Sequence, residues 1–148
     1  PRENEGSPPL AMKLMKNPIG RFLIKRMWSR KMAEDTLIDM VHDGSLVTDD
    51  EIDRMWDFSR YPGSMDAMFR EFGMAWEDFT PKEIEKIKSN TLLIWGEEDT
   101  ISPVDMGAWY NSHIPNSKFI RLPEVGHNPH FESPDVCQDE ITSWLGNH

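Results

Sequence analysis

Thr91-Leu92-Leu93-Ile94-Trp95-Gly96-Glu97-Glu98-Asp99 is the stretch on which the fold turns. A short apolar run, not alternating with polar residues, suits a strand buried on both faces of a parallel sheet. Gly96 ends it, and the three carboxylates that follow read as a loop at its carboxyl end. Working outward, Ser102-Pro103-Val104-Asp105 opens a helix to about Ser112, and Lys118–Leu122 reads as a second strand. Ser133-Pro134 opens a final helix to about Leu145. Upstream, Thr80-Pro81-Lys82-Glu83 is a capping box with proline at the first helical position, and its short helix ends near Lys88. Residues 80–148 thus alternate helix and strand, as a piece of a parallel α/β sheet with crossover helices does. Two strands are too few to stand alone.

Residues 1–79 have a different texture, nearly all helical. Residues 1–9 read as a loop. Residues 10–42 are apolar and basic, with Leu10, Leu14, Ile19, Phe22, Leu23, Met27, Leu37 and Val41 often three or four apart, and breaks are expected near Asn17-Pro18 and Gly20. Asp43-Gly44-Ser45 is a turn. Thr48-Asp49-Asp50-Glu51 is a second capping box, starting a helix to about Arg60. Tyr61-Pro62-Gly63 interrupts it, and residues 64–74 read as another helix.

The chain has 148 residues, 38% hydrophobic and 28% charged, which suits one ordinary domain or two small ones. No run of about 18 apolar residues occurs, so no transmembrane helix is expected. No secretory signal is visible at Pro1-Arg2-Glu3-Asn4-Glu5-Gly6, and the missing initiator Met suggests a cut or processed end. A single cysteine, Cys137, excludes an internal disulfide and fits a reducing, cytoplasmic location. Net charge is −10, but residues 1–31 hold eight Lys/Arg against two Asp/Glu and the remainder eight against twenty-four. Phosphate binding needs clustered cations, so the acidic majority argues against a nucleic-acid partner.

In open parallel sheets, functional groups gather at the carboxyl ends of the strands. Two loops qualify: Gly96-Glu97-Glu98-Asp99 and Pro123-Glu124-Val125-Gly126-His127. If the strands are neighbours, Asp99 and His127 share one sheet edge. A carboxylate that accepts from one imidazole nitrogen fixes the tautomer and leaves the other nitrogen free to act as a base.

Leu92-Leu93-Ile94-Trp95-Gly96-Glu97-Glu98-Asp99 with Ser102-Pro103 resembles the acid loop of the α/β-hydrolase family. Leu122-Pro123-Glu124-Val125-Gly126-His127 with Phe131-Glu132-Ser133-Pro134 resembles its histidine loop. The two lie 28 residues apart, with room for a helix and a strand. The resemblance implies an α/β fold: a helical cap or lid over 1–79, then the C-terminal part of the hydrolase core over 80–148, two parallel strands with flanking helices. It also implies a catalytic acid at Asp99, a general base at His127, a small-molecule substrate and no cofactor or metal. The family's nucleophile elbow, Gly-x-Ser-x-Gly or its Asp equivalent, is absent from this sequence. Gly44-Ser45 and Gly63-Ser64 lie in turns between helices. The expectation is therefore a C-terminal half whose partner is the N-terminal half of the same hydrolase, inactive and poorly stable alone, with an apolar edge on its first strand.

Plainer readings compete. Glu97 and Glu98 are alternative acids, but the resemblance places that role at Asp99. His130 and Glu132 near His127 have metal-ligand chemistry, but Pro129 makes the segment a loop, not a helix presenting one face. Cys137 falls inside a predicted helix with no strained turn, a packing residue and not a nucleophile. Trp28, Trp56, Trp76 and Met68 are core residues by default, with substrate contact as the sharper alternative. The apolar, basic segment 10–31 fits a cap helix pair; its rival is a non-enzymatic interaction module that meets a membrane surface or an acidic partner.

Overall fold

The computed structural model describes residues 17–73 and 79–146. The expectations for residues 1–16, including Leu10 and Leu14, and for Trp76 lie outside them. The described residues fall into two compact units: 17–35 with 48–73, and 36–47 with 79–146.

The first unit is helical. Helix α1 runs Pro18–Met27, α2 begins at Arg30 and extends to Asp39, α3 is Asp49–Arg60 and α4 is Ser64–Gly73. The expected break at Asn17-Pro18 is a helix start. Asn17 Oδ1 accepts the Ile19 N–H at 2.8 Å, and Pro18 takes the first turn, where its missing N–H costs nothing. Gly20 lies inside α1 and does not break it; the chain leaves helix at Trp28. Thr48 caps α3 by accepting the Glu51 N–H. Ala33, Ile52 and Phe69 are the buried hydrophobic side chains of this unit among the described residues.

Three of the basic residues here face carboxylates. Lys25 pairs with Asp66, Arg30 with Asp49 and Asp53, and Lys31 with Glu34 and Asp35. Each exposed pair stabilises little, and together they engage three of the eight cations that set this segment apart in the sequence. Trp28 and Trp56 are half-buried and line an open cleft of about 340 Å³ with Ser59, Arg60, Tyr61 and Met65. Trp28 Nε1 donates to Ser59 Oγ at 2.8 Å, and the Arg60 guanidinium lies 5.4 Å from the Trp56 ring centroid.

In the second unit, α5 is Pro81–Ile84, β1 is Thr91–Gly96, α6 is Val104–His113, β2 is Ser117–Leu122, α7 is Pro129–Glu132 and α8 is Pro134–Gly146. The Thr80 capping box is formed: the Thr80 N–H donates to Glu83 Oε2 at 2.8 Å. β1 and β2 are parallel, in register from Thr91 opposite Ser117 to Gly96 opposite Leu122. Helix α6 is the crossover and packs on both strands. Both strands therefore end at the same edge. Leu122, Val125 and Cys137 form the core beneath that edge, with Ile94 and Ile120 against them.

Two details depart from the sequence reading. Thr91–Trp95 is half-buried, not buried, because the sheet has two strands among the described residues and β1 is paired along one edge. Residues 129–132 are one helical turn, not loop, with Pro129 at its first position. No described helix is long and apolar enough to cross a membrane.

Candidate active site

The ladder between β1 and β2 continues past their ends. Glu97 N–H donates to Leu122 O at 2.9 Å, and Glu98 N–H to Val125 O at 3.0 Å. The loop bearing Asp99 is thereby tied to the loop bearing His127. Asp99 then turns back on its own backbone: its Oδ1 accepts the N–H groups of Ile101 at 2.9 Å and Ser102 at 2.7 Å. Aspartate favours such turns because its short side chain reaches the backbone two or three residues on.

The other carboxylate oxygen, Oδ2, lies 2.9 Å from His127 Nδ1. A carboxylate only accepts, so Nδ1 carries the proton and Nε2 is the basic nitrogen. Asp99 is 8% exposed, the one charged residue in the buried class among those described. A buried carboxylate is tolerated when its oxygens are satisfied, and both are. The His127 side chain is 31% exposed. The sequence-predicted pair is thus brought together: one member sequestered, the other open to a cavity of about 170 Å³ that Ile94, Trp95, Ser102 and Pro129 also line. Pockets for whole small molecules run to about 300–1,000 Å³, and this cavity is smaller than that.

The backbone N–H groups around His127 are all engaged. Its own N–H donates to Met40 O at 2.9 Å. Glu132 Oε1 accepts from Gly126 N at 2.9 Å and Asn128 N at 3.4 Å, and its Oε2 accepts from His42 N at 2.6 Å. No sequence pattern marked Met40 and His42, whose backbone atoms act here. Glu132 is occupied by these bonds, and among the described residues no cluster of three His, Cys, Asp or Glu could hold a metal. Glu97 forms an ion pair with Arg121 at 2.9 Å. Cys137 is buried, and burial pushes its thiol above the ordinary value, away from the nucleophilic thiolate.

Glu124 enters the histidine loop at φ 56°, the left-handed region, which costs a side-chain-bearing residue about 1–2 kcal/mol. Glu124→Val is expected to lower unfolding free energy by about 1 kcal/mol relative to Glu124→Gly, because β-branching resists this region most. Urea denaturation of the two variants measures it; equal midpoints would contradict it.

The chain is 30% identical over 128 residues to the uncharacterized hydrolase YugF of Bacillus subtilis, an overlap of 86% of this chain and 47% of that protein. It is 26% identical over 109 residues to a 2-hydroxy-6-oxo-6-phenylhexa-2,4-dienoate hydrolase of Burkholderia cepacia, covering 71% of this chain and 38% of the relative. The chain thus spans less than half the length of these relatives. Its fold is similar to that of the 2-hydroxy-6-oxo-6-phenylhexa-2,4-dienoate hydrolase of Rhodococcus sp. strain RHA1, with TM-score 0.72, 15% identity, and 95% of this chain and 50% of that one covered. A thermophilic esterase from Thermogutta terrifontis gives 0.69 at 21% identity, covering 95% and 52%. The sequence profile of the alpha/beta hydrolase fold matches residues 10–134, most of the chain, and the protein belongs to that family.

Proposed function

We propose that Asp99 and His127 are the acid and the base of a nucleophile–His–acid triad that hydrolyses an ester, an amide or a related bond of a small molecule. The observation that carries this reading is the 2.9 Å contact of His127 Nδ1 with the buried Asp99 at the carboxyl edge of two parallel strands. The nucleophile is proposed to come from polypeptide outside these 148 residues, in keeping with the half-length overlap with relatives.

In this mechanism the nucleophile attacks the electrophilic carbon while His127 Nε2 takes its proton, if it is a hydroxyl. The imidazolium so formed is stabilised by the Asp99 carboxylate and returns the proton to the leaving group. A water then gives a proton to Nε2 and attacks the covalent intermediate, and the imidazolium passes that proton to the hydroxyl nucleophile as the acid product leaves. The helical unit is proposed as the cap, its Trp28 and Trp56 cleft contributing to substrate binding. The relatives' names include a methyl ester esterase and 2-hydroxy-6-oxo-6-phenylhexa-2,4-dienoate hydrolases, which supports a hydrolase of small molecules without singling out one bond. A cytoplasmic location fits the lone thiol, and the net charge of −10 argues against a nucleic-acid partner.

The test is turnover of p-nitrophenyl butyrate and of a 2-hydroxy-6-oxodienoate by the native polypeptide and its His127→Ala form. Loss of turnover is expected with the fold intact. Hydrolysis at the parental rate after His127→Ala removes His127 as the base, whereas no turnover by the native polypeptide makes the interaction module of segment 10–31 the successor.

A further inference from the structure

We propose that Glu132 is the positioning residue of His127, a carboxylate that fixes the histidine loop from both sides. This inference rests on His127 being the base. Three consecutive backbone N–H groups, those of Gly126, His127 and Asn128, are engaged. The outer two donate to Glu132 Oε1, and the middle one donates to Met40 O. The second carboxylate oxygen reaches across to the His42 N–H, 90 residues away in sequence. One side chain thus joins the loop carrying the imidazole to the 40–42 segment against which that loop lies.

Hydrogen bonds from backbone N–H to a carboxylate are charge-assisted and stronger than neutral ones. Their geometry leaves the peptide planes on either side of His127 little freedom to rotate. The packing is equally close: a Cβ at Gly126 would lie 2.7 Å from His42 N and 3.1 Å from Glu132 Oε1. The Asp99–His127 bond fixes the ring, but a ring on a mobile loop would still wander. A base displaced by about 1 Å from its reacting partner costs on the order of a hundredfold in rate. Glu132 touches no reacting atom and acts through the backbone of His127.

Glu132→Ala, Glu132→Gln and, as a control at an exposed position, His130→Gln are compared in the native polypeptide with p-nitrophenyl butyrate. In Glu132→Ala, kcat is expected to fall about 10- to 100-fold with KM held within about twofold. Glu132→Gln should lose less, because the amide oxygen still accepts from Gly126, and His130→Gln should match the parent. The second readout needs no substrate: the Nδ1 proton of His127 by ¹H–¹⁵N NMR. It is expected as a slowly exchanging downfield resonance in the parent and broadened in both Glu132 variants, with the amide dispersion of β1 and β2 retained. A lower melting temperature with parental kcat and resonance would show a purely structural role and overturn the proposal. If Glu132→Ala does not fold, Glu132→Gln decides on the same readouts. An inactive His127→Ala beside unaffected Glu132 variants overturns the positioning role alone; an active His127→Ala overturns the triad.

Discussion

Asp99→Asn is expected to lower kcat of the native polypeptide by about 10⁴-fold while leaving the fold nearly intact. The shapes of the two side chains match. The asparagine oxygen can still accept from Ile101 and Ser102, the two bonds that hold this turn. Its NH₂ then faces His127 Nδ1, where Oδ2 stands in the parent. An amide NH₂ only donates, so Nδ1 must become the acceptor and the ring proton moves to Nε2. The nitrogen that should take a proton then already carries one. No carboxylate remains to stabilise the imidazolium. Asp99→Ala differs: it leaves two part-buried N–H groups without their acceptor and adds a stability loss of about 1 kcal/mol. Steady-state kinetics with circular dichroism separate the two effects. Turnover by Asp99→Asn within about tenfold of the parent would remove Asp99 from the triad.

Gly96→Ala is expected to damage both fold and site, although it adds a single methyl group. That Cβ would stand 2.1 Å from Gly126 O and 2.2 Å from Val125 O. Both are backbone atoms, so no rotamer change relieves the clash. The histidine loop must retreat from the end of β1. The bond from Glu98 N to Val125 O at 3.0 Å and the Asp99–His127 bond both span that gap. Overpacking in well-packed regions costs about 1–3 kcal/mol, and more where backbone must move. Urea unfolding should show a loss at or above that range, and the His127 Nδ1 proton resonance should vanish. Parental stability with that resonance intact would contradict the close approach.

Much of the secondary structure was legible, because its signals are local. The Thr80 and Thr48 caps act over three residues, and the apolar run before Gly96 and the run before Pro123 mark strands by composition. The order of acid loop, helix, strand and histidine loop led to the proximity of Asp99 and His127 once parallel pairing was assumed. The turn at 129–132 was misread because Pro129 was weighed as a breaker, whereas proline at a first helical position obstructs nothing. In the basic segment 10–31, Arg30 meets Asp49 and Asp53 and Lys25 meets Asp66, pairs 19 to 41 residues apart that no local pattern reveals.

The sequence by itself determined the element types, the family and the two residues of the candidate pair, since propensity, capping and loop composition are properties of neighbouring residues. Only the tertiary structure decided why Gly96 must lack a side chain, how the Asp99 oxygens divide between backbone and imidazole, and what Glu132 does. Those facts depend on backbone groups from Met40, His42 and Val125, and every residue type except proline carries the same N–H and C=O, so its identity announces none of these contacts. Strand register and loop docking place those groups, through contacts between residues far apart in the chain.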